Sequence, residues 1–171
     1  MSLVIETGSG LSNADSYISL ADANSYVADH GNPSSWSAAT DDEKEEALRL
    51  GTQYIDLEYG GRFAGVKGSR DQALNWPRSA VIDIAGYSYD SDELPVCLKQ
   101  AVVEAALRHL ADDDLLGVIE NNGTVKREKS KLGPLEDEVE YVGGKSQAPA
   151  YPRIRALLRP ILNSLDTISR G

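Results

Sequence analysis

The sequence predicts a mainly α fold: a small helical bundle with an extended N-terminal arm, a long structured excursion, a β-hairpin and a C-terminal amphipathic helix. Three observations lead there. Thr40-Asp41-Asp42-Glu43 has the form of a capping box ahead of apolar residues spaced by three and four. Residues 94–110 are apolar around most of a helical circumference. Between these segments, residues 61–93 carry Gly65, Gly68, Pro77 and Gly86 with no sustained period. A chain of 171 residues suffices for one domain with a real core, and 1–171 is read as one.

Residues 1–18 join a short apolar start to a Gly-Ser-Gly turn and have no helical period, as an extended arm would. Ser19 is an N-cap candidate, with Asp22 suited to the first turn of a helix whose inner face carries Leu20, Ala23 and Val27 and which Gly31 can end. Asn32-Pro33-Ser34-Ser35 reads as a turn. The second helix is predicted at about 41–59, with Ala47, Leu50, Gly51, Tyr54 and Leu57 or Glu58 facing inward and Gly60-Gly61 as its stop.

The core region, 19–114, is then interrupted by the excursion at 61–93, which holds DQALNWPR at 71–78. Pro95 suits the first position of a third helix. Leu98, Ala101, Val102, Ala105 and Leu110 give that helix a core face, and Val103, Ala106 and Leu107 lie off it, so it should be the central one. Asp112-Asp113-Asp114 has the wrong sign for a helix C-terminus and must be solvated or paired; a solvated surface run is the favoured reading and a metal site the alternative.

Residues 115–150 read as a hairpin and linker. TVKREKSK at 124–131 and EDEVEYV at 136–142 flank Gly133-Pro134, with opposite charge on the two strands. The tail at 151–171 keeps an apolar stripe of Ile154, Leu157, Leu158, Ile161, Leu162 and Leu165, with Arg153, Arg155 and Arg159 beside it. Pro160 should kink this helix or divide it into two short ones.

Composition removes several classes of function. Lys and Arg number 17 against 27 Asp and Glu, a net charge of -10, so the molecule as a whole repels phosphate. Cys97 alone makes neither an internal disulfide nor a cysteine cage for zinc. His30 and His109, the two histidines, sit in no catalytic pattern, so no enzymatic role, metal or cofactor is expected. EYGGRFAG lacks the Lys-Ser/Thr of a phosphate-binding loop. No apolar stretch approaches the ~20 residues of a membrane span and the start lacks a signal-peptide pattern, which leads to the expectation of a soluble protein made in the cytosol.

The one basic cluster contains Lys126, Arg127, Lys129 and Lys131 against Glu128, and it is followed by Glu136, Asp137, Glu138 and Glu140. Two readings of it stand: a strand paired with its acidic partner, or, with Trp36, Trp76 and the tyrosines as stacking platforms, a nucleic-acid surface. Trp76, Pro77 and Arg78 pose a similar choice between an anchor that pins the excursion to the core and a platform for a base. For the anchor, Arg78 would cap a helix end or pair with an acid such as Asp71. The stripe at 151–162 either completes its own core or docks on a partner.

The order of NADSYISLADANSYV, TQYIDLEYGGRF, DQALNWPR, LPVCLKQAVVEAALR, VKREKSKLGPLEDEVEY and YPRIRALLRPIL resembles a tailed-bacteriophage family of head-tail connector, or neck adaptor, proteins, a group also described as DnaT-like single-stranded-DNA-binding proteins. The resemblance covers nearly the whole chain. Gln-x-Leu-x-Trp-Pro-Arg and the Val-Lys-x-Glu-Lys run are its most specific parts, whereas KSKLGPLEDEVEY is longer and more charged than the family's compact hairpin. It implies a homo-oligomeric ring, of twelve copies in the virion neck, lying beneath the portal protein and above a stopper or tail-completion protein. Double-stranded DNA would pass through without sequence-specific binding, and assembly would take place in the host cytoplasm. The candidate interface is then Ile154, Leu157, Leu158, Ile161 and Leu162, with Arg153, Arg155, Arg159, Lys126, Arg127 and Lys129. The alternative is a single-stranded-DNA-binding replication protein.

Overall fold

The computed structural model of the protein describes residues 2–113, 115 and 151–163 in full, and residues 125–129 and 138–141 as backbone strands. The chain divides into two compact units, residues 1–115 with 151–171, and residues 116–150. Among its described residues the first holds five helices: α1 (Leu20–Asp29), α2 (Ser34–Ala38), α3 (Asp41–Tyr59), α4 (Val96–His109) and α5 (Pro152–Leu158). Its two-residue strands β1 (Val66–Lys67) and β2 (Arg78–Ser79) pair antiparallel.

The second unit holds β3 (Val125–Lys129) and β4 (Glu138–Tyr141), an antiparallel pair with a register shift between Val125 and Arg127. Arg127 lies opposite Glu140 and Lys129 opposite Glu138 along the ladder. The hairpin and its opposite-sign register are thus those the sequence predicts.

Local chemistry sets the helix starts. The Ser19 hydroxyl accepts from the Asp22 amide at 3.1 Å, and the capping box at α3 closes from both sides. The Thr40 amide donates to Glu43 Oε2 at 2.7 Å, and the Glu43 amide to Thr40 Oγ1 at 3.4 Å. Such caps contribute about 1 kcal/mol each. α1 ends at His30, and Gly31 follows in the left-handed region at φ 107°.

α3 and α4 form the centre of the bundle. Ala47, Leu48, Gly51, Thr52, Tyr54, Ile55 and Tyr59 of α3 are buried, as are residues 98 and 101–106 of α4. The predicted stripe of α3 is therefore rotated. Leu48 and Ile55 face inward, Leu50 is half-buried, and Leu57 is 64 % exposed. A Cβ on Gly51 would lie 2.8 Å from the Val102 carbonyl, so this glycine lets the two backbones approach. That close approach suits the face of α3 that carries Gly51 to α4.

α4 is buried on nearly all sides, as its sequence predicts, and this includes Glu104. Tyr26 donates to the Glu104 carboxylate at 2.8 Å and Arg153 pairs with it at 2.9 Å, which fastens α1 and α5 to the centre. Pro95 occupies the N-cap position and not the first helical one, because its ψ of 138° is extended. At the other end Asp113 pairs with Arg108 at 3.8 Å.

Two predicted elements differ in form. Ser34 and Ser35, read as part of a turn, open the short helix α2, which is too short for a period to register. It buries Trp36, whose indole N–H donates to Asn24 at 2.9 Å. The C-terminal helix is not continuous: α5 stops at Leu158, and a 3-10 turn, Arg159–Ile161, contains Pro160. Pro160 has no amide to continue the helical ladder, and its ring crowds the preceding turn. Leu162 is then extended and bridges Phe63. Leu165 and the rest of 164–171 lie outside the described residues, as do Asp114, Lys131, Gly133-Pro134 and Glu136-Asp137.

The N-terminal arm has no helix and doubles back on its own unit. The Asp15 amide donates to the Val4 carbonyl and the Glu6 amide to the Ser16 carbonyl, both at 2.9 Å. The buried Glu6 carboxylate accepts the amides of Thr7, Gly8, Gly10 and Leu11 at 2.8–3.0 Å. A buried carboxylate satisfied in this way fixes the Gly-Ser-Gly turn.

Candidate functional site

The excursion from Gly61 to Glu93 contains no α-helix, and it is held by side chains that the backbone pattern alone does not distinguish. Gln72 is buried. Its Nε2 donates to the carbonyls of Leu74 and Pro77 at 2.9 and 3.1 Å, and its Oε1 accepts the Ser69 amide at 2.7 Å. One amide side chain thereby closes the turn at 69–77. The Asn75 amide reaches Asp56 Oδ2 at 2.8 Å, tying that turn to α3.

Trp76 is fully buried, and its peptide bond to Pro77 is cis. The indole stands edge-on between Phe63 and Tyr89, with ring centroids 5.9 and 6.2 Å away. Its amide donates to the Tyr17 hydroxyl at 3.1 Å, and that hydroxyl donates to Asp56 Oδ1 at 2.6 Å. Arm, excursion and α3 thus meet at one carboxylate. Burial pushes the Asp56 pKa up, against the opposing pull of the hydrogen bonds from Tyr17 and Asn75. Burial, then the Asp56 charge, pushes the Tyr17 phenol well above its usual range.

Arg78 is 8 % exposed and pairs with carbonyls, where the sequence reading expected a helix end or an acid such as Asp71. Its guanidinium donates to the carbonyls of Ala64 at 2.7 Å, Gly65 at 2.8 Å, Asn75 at 3.3 Å and Phe63 at 3.4 Å. The planar fork suits carbonyls splayed across one turn. Burial lowers its pKa from the ordinary arginine value.

The C-terminal segment reaches the same turn from the other side. The Ala64 amide donates to the Ile161 carbonyl at 2.9 Å, and the Asn163 amide to the Arg62 carbonyl at 2.8 Å. Residues 62–65 are therefore gripped by both segments that the sequence singles out. Ile154, Leu158 and Ile161 are fully buried in their own subunit, with Leu157 and Leu162 packed partly buried against the same core. The apolar stripe completes the core, so these five residues do not form an open docking face. Of the arginines, Arg153 pairs with Glu104, while Arg155 and Arg159 are exposed. Lys126, Arg127 and Lys129 lie in β3, and the placement of their side chains is outside the described residues.

Beyond β2, the excursion rises into a tight loop that sequence reasoning did not single out. The Asp83 amide donates to the Tyr87 carbonyl and the Gly86 amide to the Asp83 carbonyl, at 2.8 and 3.0 Å. Asp83 Oδ1 accepts the amides of Ala85 and Tyr87 at 2.8 and 2.9 Å. Gly86 sits at φ 91°. The signal was available as Asp-x-x-Gly, a turn whose first carboxylate binds amides further on. Ordered in this way, the loop leaves Ile82, Ile84 and Tyr87 exposed at 61, 64 and 75 %.

The other described features offer less chemistry. A cavity of about 380 Å³ lies beside α3, between the Asp15–Arg49 ion pair and Leu74. Burial pushes the Cys97 thiol up to about 11, which disfavours a reactive thiolate. Among the described residues no three His, Cys, Asp or Glu side chains gather as around a metal ion, and no helix is long and apolar enough to cross a membrane.

No curated protein and no solved structure matches the chain. A family does, from end to end: over residues 1–171 the chain belongs to the family described as "Putative DnaT-like ssDNA binding protein".

Proposed function

We propose that the chain is a structural adaptor of a tailed-phage neck, a subunit that assembles as a ring below the portal and joins the DNA-filled head to a stopper or tail-completion protein. The observation that carries this reading is the excursion. A buried Trp-Pro-Arg anchor and an aspartate-ordered loop hold three large apolar side chains out in water, a construction suited to protein contact. The net charge of -10 is consistent with a wall along which DNA passes without adhering.

A second reading, single-stranded-DNA binding, is favoured by the family description and by the basic residues of β3. Against it, Trp36 and Trp76 are buried and offer no open face to a base, and the acidic residues of β4 lie opposite Arg127 and Lys129 along the ladder. Native mass spectrometry with the portal protein of the same phage, beside a salt titration with single-stranded DNA, separates the two. The adaptor reading expects about one copy per portal subunit and no tight DNA complex at physiological salt. Tight DNA binding with a steep salt slope and no portal complex would replace it with the second reading.

A further inference from the structure

Two exposed stretches of the first unit are opposite in charge. Residues 80–95 contain Asp83, Asp90, Asp92 and Glu93 and no Lys or Arg, a charge of -4. Ile82, Ile84 and Tyr87 project from the same stretch. Residues 151–163 contain Arg153, Arg155 and Arg159 and no Asp or Glu; Arg153 is neutralised by Glu104, which leaves the charges of Arg155 and Arg159. Arg155 and Arg159 are exposed, whereas the guanidinium of Arg62, whose carbonyl accepts the Asn163 amide, pairs with Glu58 at 2.6 Å. In a chain of net charge -10, so basic a stretch is a natural target for an acidic partner.

We infer that the acidic, apolar-tipped loop of one copy docks on the arginine face of α5 and the following turn in a second copy. Arginine fits this role better than lysine would. Its flat guanidinium stacks on an aromatic face such as Tyr87, its stem covers apolar surface such as Ile84, and its donors meet the carboxylates of 90–93. Loop and arginine face are different surfaces of one molecule, so the contact is heterologous: each copy gives a loop to one neighbour and a face to the other. Repeated with a rotation that closes, such a contact gives a ring. The inference deepens the adaptor reading and rests on it for its biological setting, while the contact itself is tested on the protein alone.

Two full-length variants decide it, both altered only at exposed positions. One carries Ile84→Asp and Tyr87→Ser, the other Arg155→Glu and Arg159→Glu. Circular dichroism and thermal melts first establish that each is folded. Sedimentation velocity should then show the unaltered chain self-associating with a dissociation constant between roughly 0.01 and 1 mM, as befits a small contact. Each variant alone should associate at least tenfold more weakly. Mixed in equal amounts, they should form one-to-one heterodimers and nothing larger, because only one competent loop and one competent face remain.

An unaltered chain that stays monomeric at about 1 mM would overturn the inference. So would variants that associate like the unaltered chain, or a mixture that forms no heterodimer. The adaptor reading fails separately. Self-association through these faces with no response to portal protein would retain the contact and remove the adaptor. Portal binding by both variants, with association unchanged, would do the reverse.

Discussion

Arg78 offers the sharpest test of how the excursion is held. Its two short bonds, 2.7 Å to Ala64 and 2.8 Å to Gly65, are donated by a charged group, and such bonds contribute roughly 1.5–3 kcal/mol each. Losing both would cost about 3–6 kcal/mol gross. The carbonyls involved are only partly buried, and that of Phe63 also accepts Asn163 Nδ2 at 3.2 Å, so water and neighbours recover part of the loss. For Arg78→Met the expected destabilisation is therefore about 3 kcal/mol, a large share of the 5–15 kcal/mol typical of a domain.

Arg78→Lys keeps the charge but presents a compact ammonium in place of a fork, and should lose about 1.5–3 kcal/mol. Urea unfolding followed by tryptophan fluorescence reads the global cost. Hydrogen exchange at residues 63–79 reads whether the excursion opens before the helices do. A Lys variant within 0.5 kcal/mol of the original chain would refute the role assigned to the fork, given that the two short bonds diverge to different carbonyls. A Met variant within about 1 kcal/mol would show that packing around Trp76 holds the turn without Arg78.

Trp76→Ala should cost about 3–5 kcal/mol, as removal of a buried aromatic does. Trp76→Phe should cost less, since it also removes an indole N–H that has no partner among the described residues. If the indole is an anchor, single-stranded-DNA affinity per folded molecule stays unchanged in both, and a folded variant that loses it would restore the stacking reading. Asp56 has a pKa raised above its ordinary 3.8, so the folded state holds its proton more tightly and stability from this group falls as pH rises through the folded value. Urea midpoints across the acid range should show the original chain losing stability relative to Asp56→Asn as pH rises, and the opposite slope would mean that the Tyr17 and Asn75 bonds outweigh burial. Gly8→Ala would force a side chain into φ 100° and drive its Cβ into the Asp92 carbonyl. It should loosen the turn at 7–11, seen as faster proteolysis within residues 1–11 while the thermal midpoint of the helices shifts little.

The starts of the main helices were legible from residue order alone, because caps act within a turn: Ser19, Thr40 with Glu43, and Pro95 each lie within one residue of a helix start. So was the central place of α4, since a helix apolar on most sides must be surrounded, and the pairing of opposite charges in the hairpin. Contacts between residues distant in the chain were decided only by the tertiary structure. How closely α3 can approach α4 depends on Gly51 meeting Val102. The anchor depends on Arg78 finding the carbonyls of 63–65, where a list of residues suggests an acid instead. Tyr17 and Asn75 are ordinary polar residues until folding brings both onto the Asp56 carboxylate. Periodicity and caps are properties of neighbours in the chain, whereas burial, the partners of a buried charge and the exposure of a loop tip follow from packing between segments, which no local pattern encodes.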